Sequence, residues 1–360
     1  MILQYEPLIE KDTSEALKHY VDGGGWLTEH DKTREFEAEL KKWIGQGFCS
    51  VVSNGTISLS IALLAGGVKP GDEVIVPALT MVATANAVKL IGATPVFADV
   101  DECDLCLNFS DMMAKTTPKT KGLIYVTLNG RHSKIMDFAG YCHDRNMIYV
   151  EDDAQSLGSN YYGGKFIGTR ADIASFSFSM PKIITTGQGG CLYTGISYYA
   201  DRIKKLRDFG REKSGADKYL EFGINAKFSD LQAVVGLSQI ATMKDRIAKK
   251  KYIFDLYRDS LMGVPEVEFL DTNLNYVTPW FVDIYVDNRE NLINHLKEKG
   301  IGSRPIYPSI PRELCYNLDY PFPITEKASA RGLWLPSSLT LTGEQIIFVC
   351  DQIKEYYKCL

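Results

Sequence analysis

A mostly parallel α/β fold, followed by a smaller α+β unit, is predicted by three features of this 360-residue sequence. From Phe48 to about Thr194, short apolar runs alternate with stretches of helical periodicity, the pattern of successive βα units. Turn residues punctuate that alternation, most cleanly at Lys69-Pro70-Gly71-Asp72, where helix should give way to strand. Beyond Asp230 the alternation gives way to longer helical segments around a single apolar run. No period of 20–50 residues recurs, which excludes a solenoid.

Taken in order, the expected strands are Cys49–Val52, Glu73–Val76, Pro95–Asp99, Gly122–Val126, Met147–Val150, Ile173–Phe178 and Cys191–Thr194. Helices are expected at Ile57–Ala65, Thr84–Ile91 and Ile135–Arg145, then at Tyr199–Phe209. Gly210 to Tyr219 is polar and glycine-containing and reads as an exposed loop. Helical patterning resumes at about Asp230 and runs as one stretch towards Leu261. The smaller unit then comprises Trp280–Val286, a helix Arg289–Lys299, a Pro-rich loop Arg304–Pro311 and a terminal helix Gly343–Tyr357. A boundary near residue 240 divides the chain into residues 1–240, whose N-terminal segment is free to pack elsewhere, and residues 241–360.

Composition narrows the function classes. The chain is 45% hydrophobic and 24% charged with a net charge of −5, which excludes disorder and leaves enough apolar material for two full cores. No basic field exists for a nucleic acid to bind. The N-terminus carries Glu6 and Glu10 and no apolar h-region, so a cytoplasmic location is expected. The uncharged run Trp43–Val68 is long enough to cross a bilayer. Gln46, Ser50, Ser53, Asn54, Thr56, Ser58 and Ser60 interrupt it, so it reads instead as a buried strand, a polar turn and a helix, and no membrane partner is expected. The eight cysteines form no framework and read as reduced thiols. Cys103 and Cys106 are a lone CxxC, the five histidines are isolated, and no metal is expected.

Three segments carry candidate chemistry. Ser53-Asn54-Gly55-Thr56 lies between a strand and a helix, where glycine, hydroxyls and helix N-terminal amides make an anion seat; a plain βα turn with an N-cap has the same look. Glu151-Asp152-Asp153-Ala154-Gln155 follows directly on a strand, where ligands of open α/β sheets bind; metal ligation and a helix N-terminal charge cluster stay open there. Ser175 to Gly190 contains one lysine, Lys182, in apolar surroundings before a glycine-rich return. Desolvation makes such a lysine a nucleophilic amine, although most lysines are merely solvated. The return is neither a Walker loop nor a dinucleotide fingerprint. A phosphate seat, a strand-end carboxylate and a turn lysine together meet the needs of pyridoxal 5′-phosphate.

From about Gly25-Trp26 to its C-terminus the chain resembles the DegT/DnrJ/EryC1/StrS family of nucleotide-sugar aminotransferases. The most specific blocks are Ser53-Asn54-Gly55-Thr56, Pro70-Gly71-Asp72-Glu73-Val74-Ile75-Val76-Pro77, Glu151-Asp152 with Gln155, and Ser177-Phe178 with Lys182 and Thr185-Thr186-Gly187. The resemblance implies the fold-type I architecture of pyridoxal phosphate enzymes, with the cofactor in its pyridoxal or pyridoxamine form. Lys182 matches the Schiff-base lysine and Asp152 the partner of the pyridinium nitrogen. Gln155 matches the residue that reaches the ring hydroxyl, and Gly55, Thr56 and Ser177 match phosphate contacts. Asn225 resembles an asparagine lent to the partner subunit's phosphate site, which implies a homodimer with shared active sites; an ordinary loop residue is the alternative. Arg304 is a candidate contact for the sugar diphosphate or the donor carboxylate, with a structural arginine as the alternative.

Departures from the family pattern bear on the substrate. Met81 stands where many relatives stack an aromatic residue on the cofactor, and a thioether can pack on a π face. Thr127-Leu128-Asn129-Gly130 stands where relatives carry His-x-Tyr-Gly, so that Asn129 takes the tyrosine's place; Gln188 replaces a glutamate, and Ser309-Ile310 stands where a histidine is common, all at positions that face the sugar nucleotide in relatives. The resemblance implies transfer of the amino group of L-glutamate to a nucleotide-linked keto sugar. The run Lys182-Ile183-Ile184-Thr185-Thr186-Gly187 resembles perosamine-type 4-aminotransferases, favouring GDP-4-keto-6-deoxymannose over UDP- or dTDP-4-keto-6-deoxyglucose. The rivals are a pyridoxamine-dependent sugar dehydratase, which carries histidine at the lysine position, and a non-catalytic protein on the same fold.

Overall fold

Two N-terminal helices, α1 (Lys11–Asp22) and α2 (Asp31–Ile44), lead into the alternating region, in a computed structural model that describes residues 1–132 and 135–359. There follow β1 (Phe48–Val52), α3 (Gly55–Ala65), β2 (Glu73–Pro77), α4 (Ala83–Leu90), β3 (Thr94–Ala98), α5 (Phe109–Lys115), β4 (Thr120–Val126), α6 (Ile135–Asp144), β5 (Ile148–Asp152), β6 (Ile173–Ser177), β7 (Gly190–Thr194) and α7 (Ser197–Leu206). The remainder comprises α8 (Asp230–Ile240), α9 (Met243–Leu261), β8 (Val282–Tyr285), α10 (Arg289–Glu298), β9 (Arg304–Pro305), α11 (Pro323–Arg331), β10 (Gly332–Leu335) and α12 (Gly343–Lys358).

Strands β1 to β7 form one sheet in the order β1-β7-β6-β5-β4-β2-β3. From β6 through β5, β4 and β2 to β3 all neighbours are parallel, and only β7 runs against β6 and β1. Both faces of this sheet are covered, so strands such as β5 and β6 are buried along their whole length, as parallel strands usually are. Period-two alternation assigns the faces: Ile148 and Val150 of β5 join the cluster beneath α3 and α4, while Tyr149 points into the cluster shared with α2 and α8. A third cluster lies between α9, α10, α12 and the antiparallel sheet β8-β10-β9. The first residues run along this C-terminal unit: Ile2 bridges Ile301, and the Ser337 amide donates to the Gln4 carbonyl at 3.0 Å.

Two expectations need correction. The single helical stretch from Asp230 to Leu261 is two helices, broken at Ala241–Thr242, where the Thr242 hydroxyl donates to the Gln239 carbonyl at 3.1 Å and competes with helix continuation. Helices α1, α2, α5 and α11 and strands β9 and β10 were not anticipated. His30 gives α2 no side-chain cap of its own; Asp230, the first residue of α8, accepts from the amides of Lys32 and Thr33, both at 2.9 Å. A cap supplied from across the fold leaves no local signal. The uncharged run Trp43–Val68 divides into the end of α2, β1 and α3, and no described helix is long and apolar enough to cross a membrane.

Candidate active site

The site forms where the carboxyl ends of β5 and β6 meet the N-terminus of α3. Asn54, in extended conformation, caps that helix by accepting from the Ile57 amide at 2.9 Å, so the amides of Gly55 and Thr56 lead the helix into the cavity. Close packing favours glycine at position 55, since a Cβ there would come within 3.1 Å of the Ser177 Cβ and press that side chain aside. At Gly190 a Cβ would lie 2.8 Å from the Asn54 carbonyl carbon, so β7 can pass beneath this turn only as glycine.

Three consecutive carboxyls end β5, and strand alternation separates them. Asp152 turns to the α4 side, where the Thr84 hydroxyl donates to Oδ2 at 2.8 Å and the Ala154 amide to Oδ1 at 3.2 Å. Glu151 and Asp153 face the other way: the phenols of Tyr149 and Tyr161 donate to Glu151 at 2.9 and 2.5 Å, and the Thr127 hydroxyl donates to Asp153 at 2.8 Å. The three therefore cannot converge on one ion, and no described group of His, Cys, Asp and Glu is arranged to hold a metal. Burial raises the Asp152 carboxyl above its ordinary value, opposed by the Thr84 and Ala154 hydrogen bonds and by Lys182. A cation placed against it would relieve that desolvation.

Lys182 follows β6 in a turn closed by its own amide donating to the Ser179 carbonyl at 3.0 Å. Its Nζ lies 4.2 Å from the centre of the Trp280 ring. Burial lowers the amine to about 8, with Asp152 drawing it up and Arg304 pushing it further down. An appreciable fraction is thus uncharged near neutral pH, as a nucleophile or general base requires.

A cavity of about 580 Å³ brings together Gly55, Thr56, Met81, Asp152, Gln155, Ser177 and Lys182. Gln155 accepts from the Asn129 amide at 2.7 Å and donates to the Tyr307 phenol at 3.2 Å, which fixes its orientation at the cavity wall. Met81 is 47% exposed at the rim, with its sulfur accepting from the Ala83 amide. Two candidates lie outside the lining. Asn225 is exposed, on a segment bridged to Asp208. Arg304 stacks over Trp334 at 4.6 Å, with no carboxylate partner among the described residues.

Of the departures, Gln188 lines the cavity, whereas Asn129 and Ile310 are not among its lining residues. Asn129 is buried, donating to the Phe281 carbonyl and to Asp283 Oδ1, both at 2.8 Å, and accepting from the Phe281 amide. Its amide thus serves as a strand partner for the segment entering β8. Ile310 is part of the core under α3 and α4. Trp280, Thr84 and Tyr307 were missed as site residues. Trp280 opens an apolar run and carries no motif, so no local signal could have found it.

The chain matches the DegT/DnrJ/EryC1/StrS aminotransferase family over residues 7–354. It is 34% identical over 357 residues to a GDP-perosamine synthase of Escherichia coli O157:H7, covering 98% of each chain. It is 28% identical to a dTDP-4-dehydro-2,3,6-trideoxy-D-glucose 4-aminotransferase of Saccharopolyspora spinosa, covering 99% of this chain and 96% of that one. Among solved structures it resembles the aminotransferase TlmJ from Streptoalloteichus hindustanus, with a TM-score of 0.94, 26% identity, and 100% and 99% of the two chains covered.

Proposed function

The chain belongs to the DegT/DnrJ/EryC1/StrS aminotransferase family, and on that premise we propose that it moves the amino group of L-glutamate to GDP-4-keto-6-deoxymannose, giving GDP-perosamine. The observation that carries the reading is the convergence of Lys182, Asp152 and the α3 N-terminus on one cavity. Those residues fit pyridoxal phosphate: a helix N-terminus with Ser177 for the phosphate, a desolvated carboxylate for a ring cation, and an amine of lowered basicity for the aldehyde. When bound, that cofactor supplies an electron sink. Asp152 would hold a proton on the ring nitrogen. Lys182 would hold the cofactor's aldehyde through its amine and, as a base of lowered basicity, would move the proton at the donor Cα. Gln155 would offer a donor to the ring hydroxyl, Met81 would pack on the ring, and Arg304 is free to grip the donor carboxylate or the sugar diphosphate.

The GDP-linked substrate is supported by the Escherichia coli relative and by the run Lys182 to Gly187. The Saccharopolyspora relative favours a dTDP-linked 4-keto sugar as the second reading. A panel of GDP-, UDP- and dTDP-linked 4-keto and 3-keto deoxy sugars, each incubated with glutamate and read by mass spectrometry, separates them. The expected result is an aminated product from the GDP sugar. Amination of only a dTDP or UDP sugar would overturn the substrate and leave the aminotransferase in place.

We further assign Asn225 to the phosphate site of a second copy of the chain, because it is exposed and lies outside its own cavity. A mixed dimer of Lys182→Ala and Asn225→Ala chains then has one site with both lesions and one with neither. Activity that neither parent has is expected to return on mixing. Its failure to return after subunit exchange has been demonstrated, or full activity in a monomer, removes this role.

A further inference from the structure

Helix α9 contributes two buried cations one turn apart on one face, and both hold backbone that borders Lys182. Arg246 donates to the Ile183 carbonyl at 3.0 Å, directly after the lysine, and is itself tied to the N-terminal segment through Glu10 and the Leu8 carbonyl. Lys250, 3% exposed, donates to the carbonyls of Trp280 and Ser337, both at 2.7 Å. Trp280 in turn lays its ring over the Lys182 amine, and its indole N–H donates to the Pro181 carbonyl at 2.6 Å. Lys250 therefore fixes one wall of the amine's surroundings, and its neighbour on α9 fixes the other.

A lysine in this position is costly. No carboxylate pairs with Lys250 among the described residues, and burial alone lowers its amine to about 7. A neutral core side chain of similar length would fill the space without that penalty. What such a residue could not do is hold two buried carbonyls. Ser337 adds to the same junction, its hydroxyl accepting from the Val282 amide at 2.8 Å.

We propose that Lys250 is a positioning residue for Lys182, acting through Trp280: it anchors the Trp280 backbone so that the indole covers the amine and keeps water from it. The inference concerns this chain's own residues and holds whichever sugar nucleotide the enzyme accepts. The charged groups facing Lys182 are Asp152 from β5 and Arg304 from β9, and neither touches Lys250. Loosening the indole admits water, which favours the ammonium and raises the pH at which Lys182 titrates. The ring's attraction for a cation works the other way. Burial is the larger effect: desolvation moves the titration of a fully buried amine by up to about 3–5 in pH, against about 1–2 for a ring's attraction for a desolvated cation.

The test is trace labelling with acetic anhydride across pH, with Lys182 quantified by peptide mass spectrometry, on the full-length chain cleared of bound aldehyde by hydroxylamine. The midpoint reports protonation and is not moved by reagent access. In the unsubstituted chain it is expected at about 8. In Lys250→Met it is expected to rise, cutting labelling at pH 7, relative to the alkaline plateau, about tenfold for each step of one pH in the midpoint. Trp280→Leu should raise it likewise, and the double variant should add nothing further. An unchanged midpoint in folded Lys250→Met, or additive shifts in the double variant, overturns the proposal. Should Lys250→Met fail to fold, Trp280→Leu decides alone: no shift there removes the route through the indole.

Discussion

Lys182→Ala is expected to abolish transamination, with a fall of about 10⁴-fold or more, since proton transfer alone contributes 10²–10⁴-fold and the covalent attachment is lost with it. The structure makes the lysine suited to both tasks. Its amine is lowered to about 8 by burial, so that near pH 7 a minor but usable fraction is uncharged. Borohydride reduction of the unsubstituted protein with pyridoxal phosphate should place the label on Lys182 and on no other lysine, as read by peptide mapping. Lys250, with a still lower value, is the internal control: it is buried against two carbonyls and does not line the cavity. Label on a different lysine, or unimpaired turnover in Lys182→Ala, would displace the central assignment.

Asp152→Asn should cost turnover about 10–10³-fold while leaving the fold intact. An opposite charge in contact moves a pKa by about 1–3, and that is the factor by which an amide would weaken protonation of a ring nitrogen at this position. Stability should respond in the other direction. Burial raises the folded-state value of Asp152, so its contribution to stability is complete below the ordinary carboxylate value and is lost as pH rises through the raised one. At pH 7 the substitution removes that cost, and the cofactor-free variant should unfold at the same or a higher urea concentration than the unsubstituted chain. Turnover near that of the unsubstituted protein would refute the role. Asp153 could not then take it over from where it stands, because it faces the opposite side of β5 against Thr127.

Much of the site was legible because each of its parts is local. A strand ending in a carboxylate, a helix opening on Ser-Asn-Gly-Thr and a lysine in a turn before a glycine-rich return are all contiguous. Even the separation of Asp152 from its acidic neighbours follows from the two-residue repeat of a strand. The helix capped by Asp230 was not legible for the complementary reason: its cap lies on α8, so His30, just before Asp31, supplies no start signal. Strand β10, four apolar residues long, is too short for its periodicity to separate strand from buried helix.

By itself, the sequence determined the alternating α/β class, the turns that set strand ends, and the four blocks that place lysine, aspartate and phosphate seat in order. Tertiary structure alone decided what surrounds them. Asn129 was turned from the cavity to clamp Phe281, Trp280 was laid over an amine about a hundred residues earlier in the chain, and Lys250 was set beneath the Trp280 carbonyl. The reason is physical. Periodicity and capping act between residues a few positions apart, whereas these contacts depend on which faces of β8 and α9 are left to bury once the large sheet has closed.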